Sequence, residues 1–571
     1  MGARIAQVSC WIDENLPEDS ELPGFHADKS RIEKPNYHNS DPYLDFPLFP
    51  GRSITVGRDH HENNISINHP YVSRKHFVIY SILYELDGNE TQPPLIYVRD
   101  CQSTEGTYID ETCIGSKAAG PSPGFYLSRD VVITIKPYWK FRVSLLGRPE
   151  LQSPLTAIQF KESNLFKDRY IITNRVLGRG AYASVHLAIN VKTGKQVACK
   201  IHSFDRLCGF EHPKELVRRT LNETDILGKL RHPNLPMFEY AFRSNHTLYA
   251  FTELATGGDL FSMRQDRGAF SEANCQFIIR QIINALRYLH KGGIAHRDIK
   301  PENVFFATGP DITSRVIVGD LGLAKSTALG RMASQVGTGY YKAPEIVYGQ
   351  AHSPAVDIWS LGMLTVFLLA PDNNVVPSDD TEMNQAAINE WVDSVFEDSS
   401  CQEISEYCRD FVGSCLQFDP GRRVDASKAK SHCWFQQQPN RELSKFLKNN
   451  RHTWKPSSII PPPVQELPDL GPNTSGDRSK DHVSSSRLLA SPPELPKRKT
   501  PVPSDSEDSP YFTAASPPAS KRVKIPEMRS RSLSSVLQVN VIPTTPTPRD
   551  PTERSLSVSS SAESDGVPNP M

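Results

Sequence analysis

The sequence predicts a multidomain chain with an all-β domain first, an α+β domain after it and a disordered C-terminal tail. Three observations carry this. Residues 51–146 read as short β segments separated by turn residues, and from about residue 169 β segments alternate with long amphipathic helices. The last 121 residues hold 21 of the 46 prolines together with 23 serines, a composition that cannot build a core. A length of 571 residues has room for several such units at roughly 150 residues each.

The β segments are ITVGR, HFVIYSILYEL, PLIYVRD, GTYID, VVITIKPYW and FRVSLL, between Gly51 and Leu146. The stretch RIAQVSCWI offers one more strand near the start. Asp13–Phe49 is polar, contains prolines and reads as an insertion loop. The all-β domain is therefore set at 1–147 with its core at 51–146, and 148–168 reads as a linker. In the α+β domain, set at 169–435, Gln276–His290 places Phe277, Ile278, Ile282, Ala285, Leu286 and Leu289 close to a 3.6-residue period. Residues 436–455 hold RELSKFLKNNRHTWK, a basic stretch with Leu443, Phe446 and Leu447 on one helical face. It reads as a regulatory helix, autoinhibitory or calmodulin-binding in type, or as a helix that packs on the preceding domain. The tail, 456–571, is a mixed polyampholyte. From Arg451 onward there are 15 Lys and Arg against 13 Asp and Glu.

Whole-chain charge excludes some functions. With 64 Lys and Arg against 65 Asp and Glu the net charge is -1, so nothing steers the chain as a whole onto nucleic acid or an anionic membrane. The apolar run Leu361–Ala370 is about half of the ~20 residues a membrane-crossing helix needs. The start, MGARIAQVSCW, has no apolar signal region, and Ala6 stands where a myristoylation signal wants Ser or Thr. The ten cysteines form no CxxC pair, and Cys401, Cys408 and Cys415 repeat at a helical seven-residue spacing. They are expected as reduced, mostly buried thiols of an intracellular protein.

One ordered set of motifs carries chemistry. Gly178-Arg-Gly180 is followed by Lys200 in VACK, Glu223 in LNETDIL, HRDIKPEN at His296–Asn303, DLG at Asp320–Gly322 and APE at Ala343–Glu345. A glycine pair alone is a hairpin turn as readily as a phosphate loop. The whole set, in this order and spacing, resembles the protein kinase signature from about Arg169 to Phe435, which implies a two-lobed fold. Phosphoryl transfer asks mainly for positioning and charge neutralisation, and each part is present. The resemblance gives Lys200 to the α- and β-phosphates of ATP in a pair with Glu223. Asp320 and Asn303 are hard oxygen ligands suited to Mg²⁺. Asp298 would accept the proton of the substrate hydroxyl, and Lys300 would neutralise the transferring group. The nucleotide site implied by the resemblance also includes Leu177, Gly178, Arg179, Gly180, Ala181, Val185, Ala198, Glu253 and Ala255. Ala183 stands where the family often has a third glycine, and Leu321 where it more often has Phe. Thr338 and Lys300 resemble the serine/threonine class, and Asp259 and Glu302 match acidic positions that select an arginine upstream of the target hydroxyl.

In the β domain, Gly57-Arg58, Ser73-Arg74-Lys75-His76 and DCQSTEGT at Asp100–Thr107 resemble a forkhead-associated (FHA) domain, a β-sandwich that binds phosphothreonine. A phosphate dianion wants an arginine and short hydroxyl donors on a rigid scaffold. Arg58, Ser73 and Arg74 supply them, with His76 bracing the loops. Glu105 stands where the family usually has Asn. FHA followed by a serine/threonine kinase resembles the checkpoint effector kinases, the checkpoint kinase 2 family with its fungal and meiosis-specific branches. The alternative is a phosphopeptide-binding scaffold with a silent kinase domain. Ser-Gln or Thr-Gln pairs occur only at Thr91 and Ser334, neither in an N-terminal cluster, which favours the meiotic branch.

The resemblance implies a phosphothreonine-bearing adaptor as FHA partner and basic protein substrates, with a dimer on activation. It also places Ser334 where related kinases carry an activating phosphate, with Arg297, Lys325 and Arg219 converging on it; Ser326 and Thr327 are the alternative sites. In the tail, Lys521, Arg522 and Lys524, and the run Lys497–Lys499, have the shape of importin-read signals and point to the nucleus. Six Ser-Pro or Thr-Pro pairs, at Ser491, Thr500, Ser509, Ser516, Thr545 and Thr547, suit proline-directed kinases.

Overall fold

The computed structural model of the protein describes residues 3–12, 44–82, 94–119, 122–146, 155–180, 183–210, 212–309, 311–321, 325–326, 341–351, 353–370, 384–397, 404–436 and 464–470. The expected regulatory helix at 436–455, apart from Gln436, lies outside them. So do Ala181, Thr327, Ser334, Thr338, Cys401 and the tail beyond residue 470.

The N-terminal domain is a sandwich. Strands β1 (Ala6–Ile12), β2 (Leu44–Leu48), β7 (Thr107–Ile109), β8 (Thr112–Gly115), β10 (Val131–Ile135) and β11 (Trp139–Leu145) make one sheet in the order β2-β1-β11-β10-β7-β8. Strands β3 (Ser53–Gly57), β4 (Ile65–Ser66), β5 (Phe77–Ile82), β6 (Leu95–Asp100) and β9 (Phe125–Tyr126) make the other, in the order β4-β3-β5-β6-β9. Alternation turns Ala6, Val8 and Cys10 of β1 and Val131, Ile133 and Ile135 of β10 inward against Phe77, Ile79, Ile96 and Val98. The expected loop 13–49 is corrected in part, because Leu44–Leu48 is a strand paired to β1. Pro47 hid it, and a proline is tolerated there because β2 is an edge strand.

Strands β5 and β6 are buried on both faces. Their second face, Val78, Tyr80, Leu95 and Tyr97, joins Tyr126 in packing on Leu177, Leu187 and Leu254 of the following domain. The Tyr80 hydroxyl donates to Thr256 Oγ1 at 3.1 Å and accepts from the Gly309 amide at 3.4 Å. Gln196 ties the Tyr126 backbone from both sides, at 2.7 and 3.1 Å. The approach is close enough that a Cβ on Gly124 would stand 2.2 Å from the Tyr80 hydroxyl.

The second domain has two lobes. The upper lobe is an antiparallel sheet of β12 (Tyr170–Arg179), β13 (Ala183–Asn190), β14 (Gln196–Ser203), β16 (Thr247–Glu253) and β15 (Phe238–Arg243), in that spatial order. It carries helices α2 (Phe204–Leu207) and α3 (Pro213–Lys229). The expected linker contributes to this lobe. Helix α1 (Ala157–Ser163) starts at a Thr156–Gln159 capping box, Tyr249 donates to Glu162 at 2.7 Å, and Phe166 stacks on Phe242 at 4.3 Å. A helix of seven residues is too short to show a period, and its capping box is the one local signal of it.

The lower lobe is helical: α4 (Leu260–Arg267), α5 (Glu272–Lys291), α6 (Pro344–Val347), α7 (Ala355–Leu369), α8 (Gln385–Phe396), α9 (Glu406–Cys415) and α10 (Ala426–Lys430). Helix α5 begins at Ser271, whose side chain accepts from the Asn274 amide, and all six apolar positions read from its period are buried. Short strands β17 (Ile294–Ala295), β18 (Val304–Phe306), β19 (Val316–Val318) and β20 (Lys325–Ser326) lie between α5 and α6 in the chain. The expected disordered stretch from 456 is also corrected in part, because β21 (Gln465–Glu466) pairs in parallel with β15 as a sixth strand of the upper sheet. No described helix is long and apolar enough to cross a membrane.

Candidate functional site

Strand β14 shows how the sequence aims its site residues. Val197, Cys199 and Ile201 enter the upper-lobe core, so the two-residue period turns Ala198, Lys200 and His202 into the cleft between the lobes. On α3, the buried stripe Val217, Thr220, Glu223, Thr224 and Leu227 brings Glu223 to the same place. Lys200 Nζ lies 2.8 Å from Glu223 and 3.0 Å from Asp320. Burial alone would lower the Lys200 pKa, but the carboxylates of Asp320 and Glu223 outweigh it and hold the ammonium above its ordinary value. His202 stays neutral, pushed down to about 3 by burial and by the Lys200 charge.

A cavity of about 280 Å³ opens at this point. Of the residues proposed from the sequence, Leu177, Gly178, Val185, Ala198, Lys200, Glu223, Glu253, Ala255, Asn303 and Asp320 line it. Gly180 and Arg179 stand exposed at the loop tip, where the Gly180 amide donates to Ala183 at 2.8 Å and closes the hairpin. Thr252, Phe305, Ile317, Leu227 and Pro236 also line the cavity and were missed. The Glu253 side chain turns away from it, with its carboxylate on Arg315 and the Met237 amide. Leu321 is 1% exposed and fills an apolar niche in the lower-lobe core.

The loop after β17 holds the remaining groups. Asn303 Nδ2 donates to the Asp298 carboxylate at 2.8 Å and to the Asp298 carbonyl at 2.8 Å, and Lys300 Nζ is 3.5 Å from the same carboxylate. Asp357, missed by the sequence reading, anchors this loop from α7 beneath it. Its buried carboxylate accepts from His290 Nε2 at 2.8 Å, the His296 amide at 2.9 Å and the Arg297 amide at 2.7 Å. Burial alone would raise the Asp357 pKa, yet the His290 hydrogen bond and the nearby imidazoles bring it below the ordinary carboxylate value. Arg297 and Asp320 both have left-handed backbone, φ 74° and 56°, a conformation that non-glycine residues hold only when their surroundings enforce it. Arg423, also missed, forms a buried two-pronged pair with Glu345 at 2.6 and 2.7 Å.

Asp259 and Glu302 fare differently. Asp259 caps α4, accepting from the Ser262 amide at 2.8 Å and hydroxyl at 2.9 Å, while Glu302 is exposed. For the expected activation cluster, burial lowers the Arg297 pKa, the Asp357 carboxylate raises it and the Arg219 charge lowers it again. The two arginines are thus close enough to repel, and Glu215 meets Arg219 at 3.1 Å. The backbone of Lys325, in β20, pairs with Ala295 of β17; its side chain and Ser334 lie outside the described residues.

On the sandwich, Arg58, Ser73 and Arg74 come together at one end. The Arg58 amide donates to the Ser73 carbonyl at 2.8 Å, and the Thr104 amide donates to Ser73 Oγ at 3.0 Å. The His76 ring accepts from the Ser73 amide at 3.2 Å and bonds the Gly106 carbonyl at 3.1 Å, joining the two loops. Asn63 holds the Asp59 and Arg74 carbonyls at 2.6 and 2.7 Å. A Cβ on Gly57 would sit 2.3 Å from the Arg74 carbonyl, which is why glycine precedes Arg58. Arg74 reaches Asp59 at 3.2 Å and Glu62 at 3.5 Å. Arg58, Arg74 and Glu105 are exposed.

The protein kinase domain family matches residues 171–435 and the FHA domain family matches 54–121. The meiosis-specific serine/threonine-protein kinase mek1 of Schizosaccharomyces pombe is 29% identical over 449 residues, covering 76% of this chain and 93% of that protein. A calcium/calmodulin-dependent protein kinase type I from the same yeast is 34% identical over 264 residues, covering 45% of this chain and 76% of its own. Among solved structures, the crystal structure of Rad53 1-466 in complex with AMP-PNP is 27% identical, covering 75% of this chain and 99% of that one at a TM-score of 0.37.

Proposed function

This chain belongs to the protein kinase family as a serine/threonine kinase with an FHA domain, and from that premise we propose how its two sites work together in a nuclear checkpoint. The observation that carries the reading is the Lys200–Glu223–Asp320 constellation lining one cavity together with Asn303, which in turn holds the Asp298 carboxylate. Leu177, Val185, Ala198 and Leu254 offer apolar walls for an adenine, and Lys200 meets the α- and β-phosphates of ATP. The donor set fits Mg²⁺. Asp320 is a half-exposed carboxylate, and Asn303 spends its amide hydrogens on Asp298, which leaves its oxygen as the ligand atom. Mg²⁺, when bound, neutralises charge on the phosphates. Asp298 accepts the proton of the substrate hydroxyl, and Lys300 beside it balances negative charge on the transferring group. Glu302 is the carboxylate left to meet an arginine upstream of the target, since Asp259 is committed to its cap.

The FHA face recruits the kinase to a phosphothreonine-bearing adaptor, with Arg58 and Ser73 on the phosphate and Arg74 drawn from Asp59 toward it. Similarity to mek1 supports a meiotic setting, and the basic runs at Lys497–Lys499 and Lys521–Lys524 would bring the protein into the nucleus through importin. One experiment tests both sites. The purified protein should transfer radiolabelled phosphate from Mg·ATP to a peptide with arginine upstream of serine. Arg58→Ala should leave that transfer intact and cut affinity for a phosphothreonine peptide by about ten- to a hundredfold, the equivalent of a charge-assisted bond worth roughly 1.5–3 kcal/mol. Absence of transfer in the wild type would favour the scaffold reading.

Activation is proposed to run through Ser334. A phosphate there, at about -2 charge, would gather Arg297, Arg219 and Lys325 and relieve the repulsion between the two arginines. Two kinases on neighbouring FHA-bound adaptors could modify one another at this residue. Ser334→Ala should lower activity at least about tenfold, and Arg219→Ala should remove much of the gain on phosphorylation. Full activity in purified Ser334→Ala protein would assign the switch to Ser326 or Thr327.

A further inference from the structure

Residues Val464–Leu470 lie about thirty positions beyond the end of the kinase match, yet they are built into the upper lobe. Gln465 and Glu466 pair in parallel with Phe242 and Arg243 of β15, and the Leu467 amide donates to the Arg243 carbonyl at 2.7 Å. The side chains fix the register. Arg243 and Glu466 meet through two contacts of 3.1 and 2.8 Å, Tyr240 donates to Gln465 at 2.8 Å, and Asn245 donates to Asp469 at 2.8 Å. Two apolar residues point into the lobe. Leu467 packs on the upper core that includes Phe166 and Phe242, and Val464 packs on the cluster of Phe204, Leu207, Val217 and Leu248.

That cluster reaches the site, because Val217 lies on α3, the helix that carries Arg219 and Glu223, and Val464 also packs on the core cluster that holds Ile226 and Leu227 of the same helix. Val464 therefore braces, from the sheet edge, the helix whose position decides whether the Lys200–Glu223 pair forms. Local sequence explains why this segment and not its neighbours can do so. Proline lacks the amide that a ladder needs, and Val464–Leu467 is a proline-free stretch between Pro463 and Pro468. We propose that Val464–Leu470 is a strap acting in cis, a positioning segment that closes the edge of β15 and holds α3 in its catalytic place. Displacing it lowers activity without touching a catalytic residue. The proposal rests on the reading of Lys200 and Glu223 as the nucleotide clamp.

The test uses the full-length protein carrying Val464→Asp and Leu467→Asp together. Turnover should fall about five- to tenfold and KM for ATP should rise a few-fold, with faster amide exchange in 213–229 and 238–243 and unchanged exchange in the FHA strands. A synthetic peptide of residues 460–472, added in trans, should restore both turnover and exchange protection, and a scrambled peptide should restore neither. Unchanged exchange in 213–229 would overturn the proposal, as would a loss that the native peptide cannot reverse. If instead the wild type transferred no phosphate while exchange responded as expected, the strap would stand and the clamp reading would fall.

Discussion

Asp298→Asn should reduce phosphate transfer by roughly 10²–10⁴-fold, the range attributable to a positioned proton acceptor, while leaving nucleotide affinity within about a few-fold. The amide keeps the size of the carboxylate and can turn its oxygen toward Asn303 Nδ2, now 2.8 Å away, so the loop should hold its shape. Asp320→Ala should also abolish transfer, but by another route. It deletes a proposed Mg²⁺ ligand and the carboxylate 3.0 Å from Lys200, so Mg·ATP binding should weaken with it. Calorimetry of Mg·ATP binding beside a radiolabel assay separates the two effects. If Asp298→Asn lost nucleotide affinity and Asp320→Ala retained it, the roles assigned to the two carboxylates would have to be exchanged.

The motifs that specify chemistry were legible because several residues stand at fixed spacing in one short stretch. HRDIKPEN names Asp298, Lys300 and Asn303 at once, and alternation along VACKIH is enough to send Lys200 into the cleft. Asp357 and Arg423 escaped for the opposite reason. Neither stands in a motif that names it, and the three donors of Asp357 and the ion-pair partner of Arg423, Glu345, lie 60 or more positions away. Only the fold supplies the burial that makes such a charge informative. Strand Leu44–Leu48 and the strap at Val464–Leu470 share another cause. Both are edge strands beside prolines, so they lack the apolar run and the clean alternation on which strand reading depends.

The docking of the FHA sandwich on the kinase had a visible trace that a count of strands does not use. HFVIYSI and LIYVRD are near-continuous apolar runs, whereas a sheet with one wet face alternates. In the structure the odd member explains itself. Phe77 and Ile79 face the sandwich core while Val78 and Tyr80 face Leu177 and Leu254, two residues of the nucleotide cavity. The FHA domain is thus packed directly behind the wall of the proposed ATP site.

The second large effect belongs to Asp357→Asn. The wild-type carboxylate serves three donors in a fully buried position: His290 Nε2, the His296 amide and the Arg297 amide. An asparagine has one acceptor oxygen, so at least one donor then faces an NH₂ group. Each buried donor left without an acceptor costs about 1–3 kcal/mol, and folding stability should fall by roughly 3 kcal/mol. Because the folded-state pKa of Asp357 is depressed from 3.8, its contribution is fully present above that value and is lost as pH falls through the lower folded one. The gap between wild type and variant should therefore be flat across neutral pH and narrow only under acid conditions. Catalysis should suffer as well. The hydrogen bond that the Arg297 amide donates to Asp357 helps hold its left-handed φ of 74°, and Asp298 follows directly in the chain, so a displacement on the order of 1 Å would cost about a hundredfold in turnover. Nucleotide affinity should fall less than turnover, since Lys200 and Glu223 are positioned by other elements, while Asp320 follows Gly319, whose carbonyl is bonded by the His296 that Asp357 anchors. Denaturant melts at several pH values and steady-state kinetics of the variant check both halves; unchanged turnover in a destabilised protein would show that Asp357 supports the fold without setting the geometry of the catalytic loop.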